Sequence, residues 1–431
     1  MKLIVITSEK TYPQETEAIR QLLEAGLGTL HLRKPSWSKE QTVAFLESID
    51  PVFHNRIVLH DHYDLTGEYI VRGVHLNARN EDKLEGLFSD AYINSDTLRS
   101  IEDLEEPVDE CKYHFLSPVY DSISKEGYSS KFTKEELQKA KEKGLIKPYI
   151  IALGGVTEDK IDELFELGFG GFAMLGSFWA DWEKDFDNEK LVRKYQALQA
   201  RCNEYTKKRI PRFHGLTIPD KMSFEELLIT SMGFSASGLP LLQFRNKHAD
   251  LPTKVMTCAM LRPMCKSMGT TFIINDEPDL ANEVCADGVH LGKNDMPVAE
   301  ARRLMGNNTI IGGTANTFED IERLVAEGAN YIGLGPYRFT KTKDNLSPVL
   351  GIEGYRSILA KCKEKGINTP IVAIGGITLE DIPELMKTGI HGVAMCSSLR
   401  GRGAVSELHP EEGETTEGYF ELILKTIYEN A

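Results

Sequence analysis

The sequence predicts an α/β protein made of two tandem (β/α)8 barrels, the TIM-barrel architecture. Three observations carry this expectation. Similar stretches recur in the same order roughly two hundred residues apart. Within each half, short β-like runs alternate with helical ones. The better-defined half holds eight such pairs in about 220 residues, the number that closes a small parallel barrel.

The repeat is legible as text. "TLHLRKP" near residue 30 pairs with "PLLQFRNK" near residue 244, and "RGVHLNARN" at 72–80 pairs with "DGVHLGKND" at 287–295. "FLSPVYDSISKEG" at 115–127 pairs with "GLGPYRFTKTKDN" at 333–345. "YIIALGGVTEDKIDELFELGFGGFAML" at 149–175 pairs with "PIVAIGGITLEDIPELMKTGIHGVAMC" at 370–396. The offset drifts only from 212, between Arg33 and Arg245, to 221, between Gly155 and Gly376. Collinearity over a whole half implies duplication or fusion of one fold, and the period is far too long for a solenoid.

In the second half the strands read, in order, "RFHGLTI", "LLQFR", "TFIIN", "GVHLG", "TIIGGTA", "YIGLGP", "IVAIGG" and "GVAMCSS". The helices between them include "PDLANEVCA", "PVAEARRLM", "TFEDIERLVAEG", "GIEGYRSILAKCKEKG" and "TLEDIPELMKTG". The last has apolar spacing near 3.6, a Thr cap and a Gly stop. A final helix, "YFELILKTIYEN", follows the eighth strand. A doubly wound open sheet is the alternative, but it would carry fewer strands per unit length and no closing eighth strand. The first half reads the same way, less cleanly. The charged stretch 182–209 supplies its last helix and the linker, which places the boundary near 208, with domains 1–208 and 209–431.

Composition narrows the function. The chain has 431 residues, 41% hydrophobic and 27% charged, an ordinary globular balance with enough length for an ample core in each half. Its net charge of −15 argues against nucleic-acid or anionic-membrane partners, so an anionic ligand must be held by a local basic pocket. The seven cysteines form no CxxC pair and their number is odd, which fits neither a disulfide framework nor a zinc site and suggests a reducing compartment. "MKLIVITSEK" is too short in its apolar run for a signal peptide or a membrane span. The expectation is a cytoplasmic protein with small-molecule partners. The oligomeric state stays open, a homo-oligomer included.

Parallel barrels place their active sites at the C-terminal ends of the strands. In the second half those ends carry Gln243, Arg245 and Lys247, then Asn275 and Asp276, Asp295, Thr314, the loop Thr340, Thr342 and Lys343, Gly375 and Gly376, and finally Cys396 and Ser397. Arg245, Lys247 and Lys343 are cations suited to a polyphosphate. Asp276 and Asp295 are hard oxygen ligands suited to Mg2+, which takes one or two carboxylates and shares the rest of its shell with phosphate and water. "IGGIT" and "MCSS" offer glycine turns and free N–H groups, the usual barrel site for one phosphate. Diphosphate with metal on one side and monophosphate on the other suggests group transfer with diphosphate leaving.

Each residue also has a plainer reading. Asp276 before "EPDLAN" and Asp295 before "MPVAEARR" are, taken singly, N-cap candidates. Their occurrence on adjacent strand ends beside a cationic ring favours ligation instead. His290 reads as a buried, hydrogen-bonded structural histidine, Cys258 and Cys265 as helix packing residues, and Cys396 as a backbone contact rather than a reactive thiol.

Through "LLQFRNK", "FIIND", "ADGVHLGKND", "IIGGTANT", "YIGLGPYRFTKTK" and "IVAIGGI", the second half resembles thiamine phosphate synthase over essentially its whole length. That family joins a hydroxymethylpyrimidine diphosphate to a thiazole phosphate and releases diphosphate. The resemblance implies that Gln243, Arg245, Lys247 and Asn275 hold the pyrimidine diphosphate and that Asp276 and Asp295 bind Mg2+ as cofactor. Thr314 would stand near the pyrimidine and the leaving group. Thr340, Thr342, Gly376, Cys396 and Ser397 would hold the thiazole phosphate, and Lys343 the diphosphate. Arg245, Lys247, Lys343 and Thr314 would carry catalysis by charge and positioning, with no protein nucleophile. A sugar-phosphate isomerase or lyase is the alternative enzyme.

The first half keeps this set only in part. Its counterparts are His31, Arg33, Lys34, His60, Asp61, Asn80, Ser122, Ser124, Lys125 and Gly155, with Leu175 and Gly176 replacing Cys396 and Ser397. Asn80 in place of Asp295 removes one metal carboxylate. "LHLRKP", "SPVYDSISKEGY" and "IALGGV" resemble the thiazole tautomerase relatives of the synthase, which aromatise a carboxythiazole phosphate without metal. The histidine those relatives would place beside "SPVYD" is replaced by Pro118, leaving His31 and His60 as acid–base candidates. A barrel that holds ligand or docks without catalysis is the competing expectation.

Overall fold

The computed structural model of the chain describes residues 1–77, 93–105, 107, 111–121, 130–217, 223–340, 347–399 and 416–431. Among them, sixteen short parallel strands close into two eight-stranded barrels, each with its strands in sequential order. The first barrel comprises β1 (Lys2–Ile6), β2 (Leu30–Leu32), β3 (Ile57–Leu59), β4 (Gly73–His75), β5 (Ile93–Leu98), β6 (Tyr113–Leu116), β7 (Ile150–Ala152) and β8 (Gly171–Met174). The second comprises β9 (Phe213–Leu216), β10 (Leu241–Phe244), β11 (Thr271–Asn275), β12 (Gly288–Leu291), β13 (Ile310–Ala315), β14 (Tyr331–Leu334), β15 (Ile371–Ile374) and β16 (Gly392–Met395). Closure is explicit in the register: Lys2 of β1 lies opposite Gly171 of β8, and β9 pairs with both β10 and β16. The chain divides into two compact units, with the long helix Asn188–Lys208 carrying the passage from one to the other at Tyr205 and Thr206.

The helices start where side chains replace missing backbone partners. Thr317 accepts from Asp320 N at 3.2 Å while Asp320 Oδ2 accepts from Thr317 N at 3.1 Å, a reciprocal cap. Ser38 with Gln41, Thr133 with Glu136, and Ser223 with Glu226 repeat the device. "TLEDIPELMKTG" is not one continuous α-helix. A 3-10 turn, Leu379–Asp381, precedes a short helix, Ile382–Met386. Pro383 accounts for the break, since it has no N–H to continue the ladder from the capped turn.

Strand alternation sorts the core into two layers. In the first barrel, Leu3, Leu30, Leu59, Val74, Leu116 and Phe172 face the helices. Ile4, Ile6, Tyr113, Phe115, Ile151 and Ala173 fill the interior. In the second barrel, Leu216, Tyr331, Val372 and Ala394 occupy the interior. Cys258 and Cys265 are fully buried on the helix Leu251–Met268, as packing residues. Among the described residues, no helix is long and apolar enough to cross a membrane.

Ile332 on β14 is fully buried. Ile332→Ala should cost about 2–5 kcal/mol through lost burial and a residual cavity. The check is the urea midpoint followed by circular dichroism. An unchanged midpoint would contradict the assignment of β14 as a closed-barrel core strand.

Candidate active site

The C-terminal mouth of the second barrel opens into a cavity of about 460 Å3. The alternation that buries Tyr331 and Ala394 also turns the last inward residues of the strands into this space. Gln243, Asn275, His290, Thr314 and Cys396 all line it. Gln243 Nε2 donates to Asn275 Oδ1 at 2.6 Å across β10 and β11, which fixes both amides. Thr217, just past β9, accepts from Arg245 N at 2.8 Å and donates to Arg245 O at 2.9 Å, clamping the end of β10. Arg245 and Lys247 reach the cavity from there.

Asp276 and Asp295 stand on the same wall. Asp276 adopts φ +70°, a left-handed conformation that a non-glycine residue takes only under constraint. Its N–H donates to His290 O at 2.8 Å, holding that turn. The capping position of the following helix, Pro278–Glu283, belongs to Glu277, so Asp276 does not serve as its cap. Instead its Oδ2 lies 3.1 Å from Lys247 Nζ, and its carboxyl shares a hydrogen bond with that of Asp295. Asp295 Oδ2 also accepts from Gly292 N at 2.7 Å. A Cβ at Gly292 would sit 2.7 Å from that oxygen, so glycine keeps the carboxyl in place. Burial pushes Asp295 above the usual carboxylate range, and the hydrogen bond and charge of Asp276 add to it. Burial also raises Asp276, but its bond to Asp295 and the Lys247 ammonium outweigh that and hold it below the usual range. Two half-buried carboxyls in contact are a hard-oxygen pair that a divalent cation would satisfy.

The opposite wall is backbone-rich. Gly375 has φ +101° and Gly376 φ +70°. A Cβ on Gly376 would meet Arg338 Cγ at 2.4 Å, so both conformation and space demand glycine there. Cys396, Ser397 and Thr340 complete this side. The Cys396 thiol points at Thr217 O at 3.7 Å. Thr342 and Lys343 lie outside the described residues. Every other second-barrel residue expected from the sequence borders the one cavity.

His290 and Lys293 also line the cavity, and the sequence reading did not count them as site residues. His290 is buried and hydrogen-bonded, but it is part of the wall as well: its Nδ1 lies 3.0 Å from Tyr331 Oη and its Nε2 3.0 Å from Thr314 Oγ1. It therefore orients the Thr314 hydroxyl. Strand parity could have found it, since His290 shares the inward face with Asn275. Lys293 pairs with Asp320 at 2.6 Å, a partner that no local pattern announces.

The first barrel differs. His31 Nδ1 lies 2.9 Å from His60 Nε2, and His31 Nε2 bonds the Tyr113 hydroxyl. Burial, then the neighbouring His75 and Arg72, hold His31 well below the ordinary imidazole range, so it is neutral. Lys34 is buried against both oxygens of Glu15, at 2.7 and 2.5 Å, and so does not reproduce Lys247. Arg33 pairs with Glu9. Asp61 is half-buried after β3. Gly155 has φ +64°, and a Cβ there would lie 2.2 Å from Asp121 O, the counterpart of the crowding at Gly376. Asn80, Ser122, Ser124 and Lys125 lie outside the described residues.

A family model described as thiamine monophosphate synthase matches residues 3–178 and 218–399. The thiamine-phosphate synthase of Phocaeicola vulgatus is 53% identical over 171 residues, 39% of this chain and 82% of that protein. That of Bacteroides thetaiotaomicron is 47% identical over 176 residues, 41% of this chain and 82% of that protein. A solved thiamine phosphate pyrophosphorylase from Bacteroides thetaiotaomicron shares 33% identity over 47% of this chain and 98% of its own, with a TM-score of 0.42.

The charge on Asp295 should cost stability when no cation is present. An acid whose folded pKa is raised loses stability as pH rises through that value, so at neutral pH Asp295 destabilises. Asp295→Asn keeps shape and hydrogen bonding and removes the charge. In chelator at pH 7 its urea midpoint should rise above that of the parent protein. A fall would show that the two carboxyls do not repel.

Proposed function

The chain belongs to the thiamine monophosphate synthase family, and on that premise we propose that its second barrel carries the condensation of a hydroxymethylpyrimidine diphosphate with a thiazole phosphate, giving thiamine phosphate and diphosphate. The activity is that of a thiamine phosphate synthase. The observation that carries the assignment to this barrel is the Asp276–Asp295 pair beside Lys247 at the mouth of one cavity.

The amide pair is suited to the pyrimidine. With Gln243 Nε2 committed to Asn275 Oδ1, the Gln243 carbonyl and the Asn275 amide remain to offer an acceptor and a donor to an aminopyrimidine edge. Arg245 and Lys247 would take the diphosphate, with Lys343 joining them. These fixed cations would neutralise charge growing on the leaving group without reorganising during the step. Asp276 and Asp295 would hold Mg2+, which supplies further charge stabilisation to a phosphoryl oxygen. In the tautomer with the proton on Nε2, His290 accepts from Tyr331 and donates to Thr314, leaving the Thr314 hydroxyl hydrogen for the ligand. Gly376, Ser397, Cys396, Thr340 and Thr342 would seat the thiazole phosphate, so that its ring nitrogen meets the methylene carbon as the C–O bond breaks. Catalysis then rests on positioning and electrostatics, with no covalent enzyme intermediate. The compartment proposed is the cytoplasm, where a reducing medium suits seven cysteines with no CxxC pair.

Incubating the full chain with both phosphorylated precursors and Mg2+ should yield thiamine phosphate. Asp276→Ala and Asp295→Ala should each lower kcat/KM by about 100-fold or more. Absence of product with both substrates bound would refute the assignment. Full activity of Asp295→Ala on some other phosphorylated substrate would favour an isomerase or lyase.

A further inference from the structure

In the first barrel, three imidazoles stand where the second barrel has Gln243, Asn275 and His290. His31 is the central residue of β2, His60 follows β3 and His75 closes β4. All three are buried, at 0%, 4% and 5% exposure. Besides the 2.9 Å contact between His31 and His60, the rings of His60 and His75 stack with centroids 4.3 Å apart. One nitrogen from each histidine lies within 4.8 Å of one nitrogen of each of the others. We propose that His31, His60 and His75 form a binding site for one divalent transition-metal ion of the zinc class.

The donor set selects the ion. Three imidazoles without a carboxylate suit Zn2+, Co2+ or Ni2+, and not the oxygen-seeking Mg2+ proposed for the other barrel. The surroundings of His31 and His75 match the pattern of a metal-bound histidine, in which the second ring nitrogen is held by an outer partner. His31 Nε2 is bonded to the Tyr113 hydroxyl, so Nδ1 faces the centre. His75 Nδ1 lies 2.9 Å from Ser95 Oγ, and Nε2, whose 3.3 Å contact with Thr97 Oγ1 is the longer one, would exchange that contact for the ion. Nitrogens bound at 2.0–2.1 Å to one tetrahedral ion stand about 3.3 Å apart. The 2.9 Å contact between His31 and His60 opens by a few tenths of an ångström to reach that value. Three protein ligands leave the fourth position for water or for an oxygen of a bound small molecule.

The proposal is independent of the synthase reading, because none of its residues lies in the second barrel. The full chain, stripped with chelator, is dialysed against Co2+ and read by visible absorption and metal analysis. The parent protein should show the intense d–d bands of four-coordinate Co2+, saturating at one equivalent more metal than the double variant described next binds. The double variant His31→Gln, His60→Asn installs the residues that the second barrel carries at the same positions, so it suits the fold, and it should lose the bands. Asp295→Asn should keep them. Tyr113→Phe should weaken affinity about 10-fold to 100-fold. Three results would overturn the site: no bands in folded parent protein at excess Co2+, bands retained in the double variant, or bands lost in Asp295→Asn. The first of these would mean that the three rings are only a packed cluster of imidazoles.

Discussion

In a closed parallel barrel every second side chain of a strand must point inward, and the last inward residue of each strand stands in the mouth. The rest of the molecule follows from that constraint. It makes Gln243 and Asn275 neighbours across β10 and β11, and it turns His290 toward Thr314 across β12 and β13. It also leaves the residues just past the strand ends, Asp276 among them, to face the same cavity. A slip of one residue in any strand would send these groups into the helix layer and bring aliphatic side chains into the site.

The two barrels share the constraint and differ in what it displays. The same inward positions carry Gln, Asn and His in the second barrel and three histidines in the first. Amides offer a fixed donor and acceptor to a heteroaromatic ring, whereas imidazoles offer lone pairs to a proton or a metal. The change reaches the cations too. Lys247 faces Asp276 at the cavity, while Lys34 is spent inside the fold on Glu15. The glycine turns persist in both barrels because both take a positive φ and both are crowded, Gly155 against the Asp121 backbone and Gly376 against the Arg338 side chain. Scaffold and chemistry therefore diverged separately.

Much of this was legible in the sequence, for physical reasons. Period-two runs and capped helices determine the barrel, and collinear repeats double it, so all eight strands of the second half fall where the text placed them. The site was legible because strand ends are identifiable and because barrels concentrate chemistry there. What was not legible depends on contacts distant in sequence. That Lys34 would find Glu15 cannot be seen from "LHLRKP". His290 read as a core residue, because a strand pattern says which face a side chain occupies but not that the core ends in a cavity. The left-handed turn at Asp276, which decides between helix cap and site carboxylate, needs the fold around it.

The central claim is a division of labour: one mouth built for diphosphate and the other not. Calorimetric titration of the full chain with inorganic diphosphate in the presence of Mg2+ tests it most directly. The account predicts one diphosphate site per chain, lost in the Arg245→Ala variant. Two sites per chain, or a single site that survives Arg245→Ala, would contradict it.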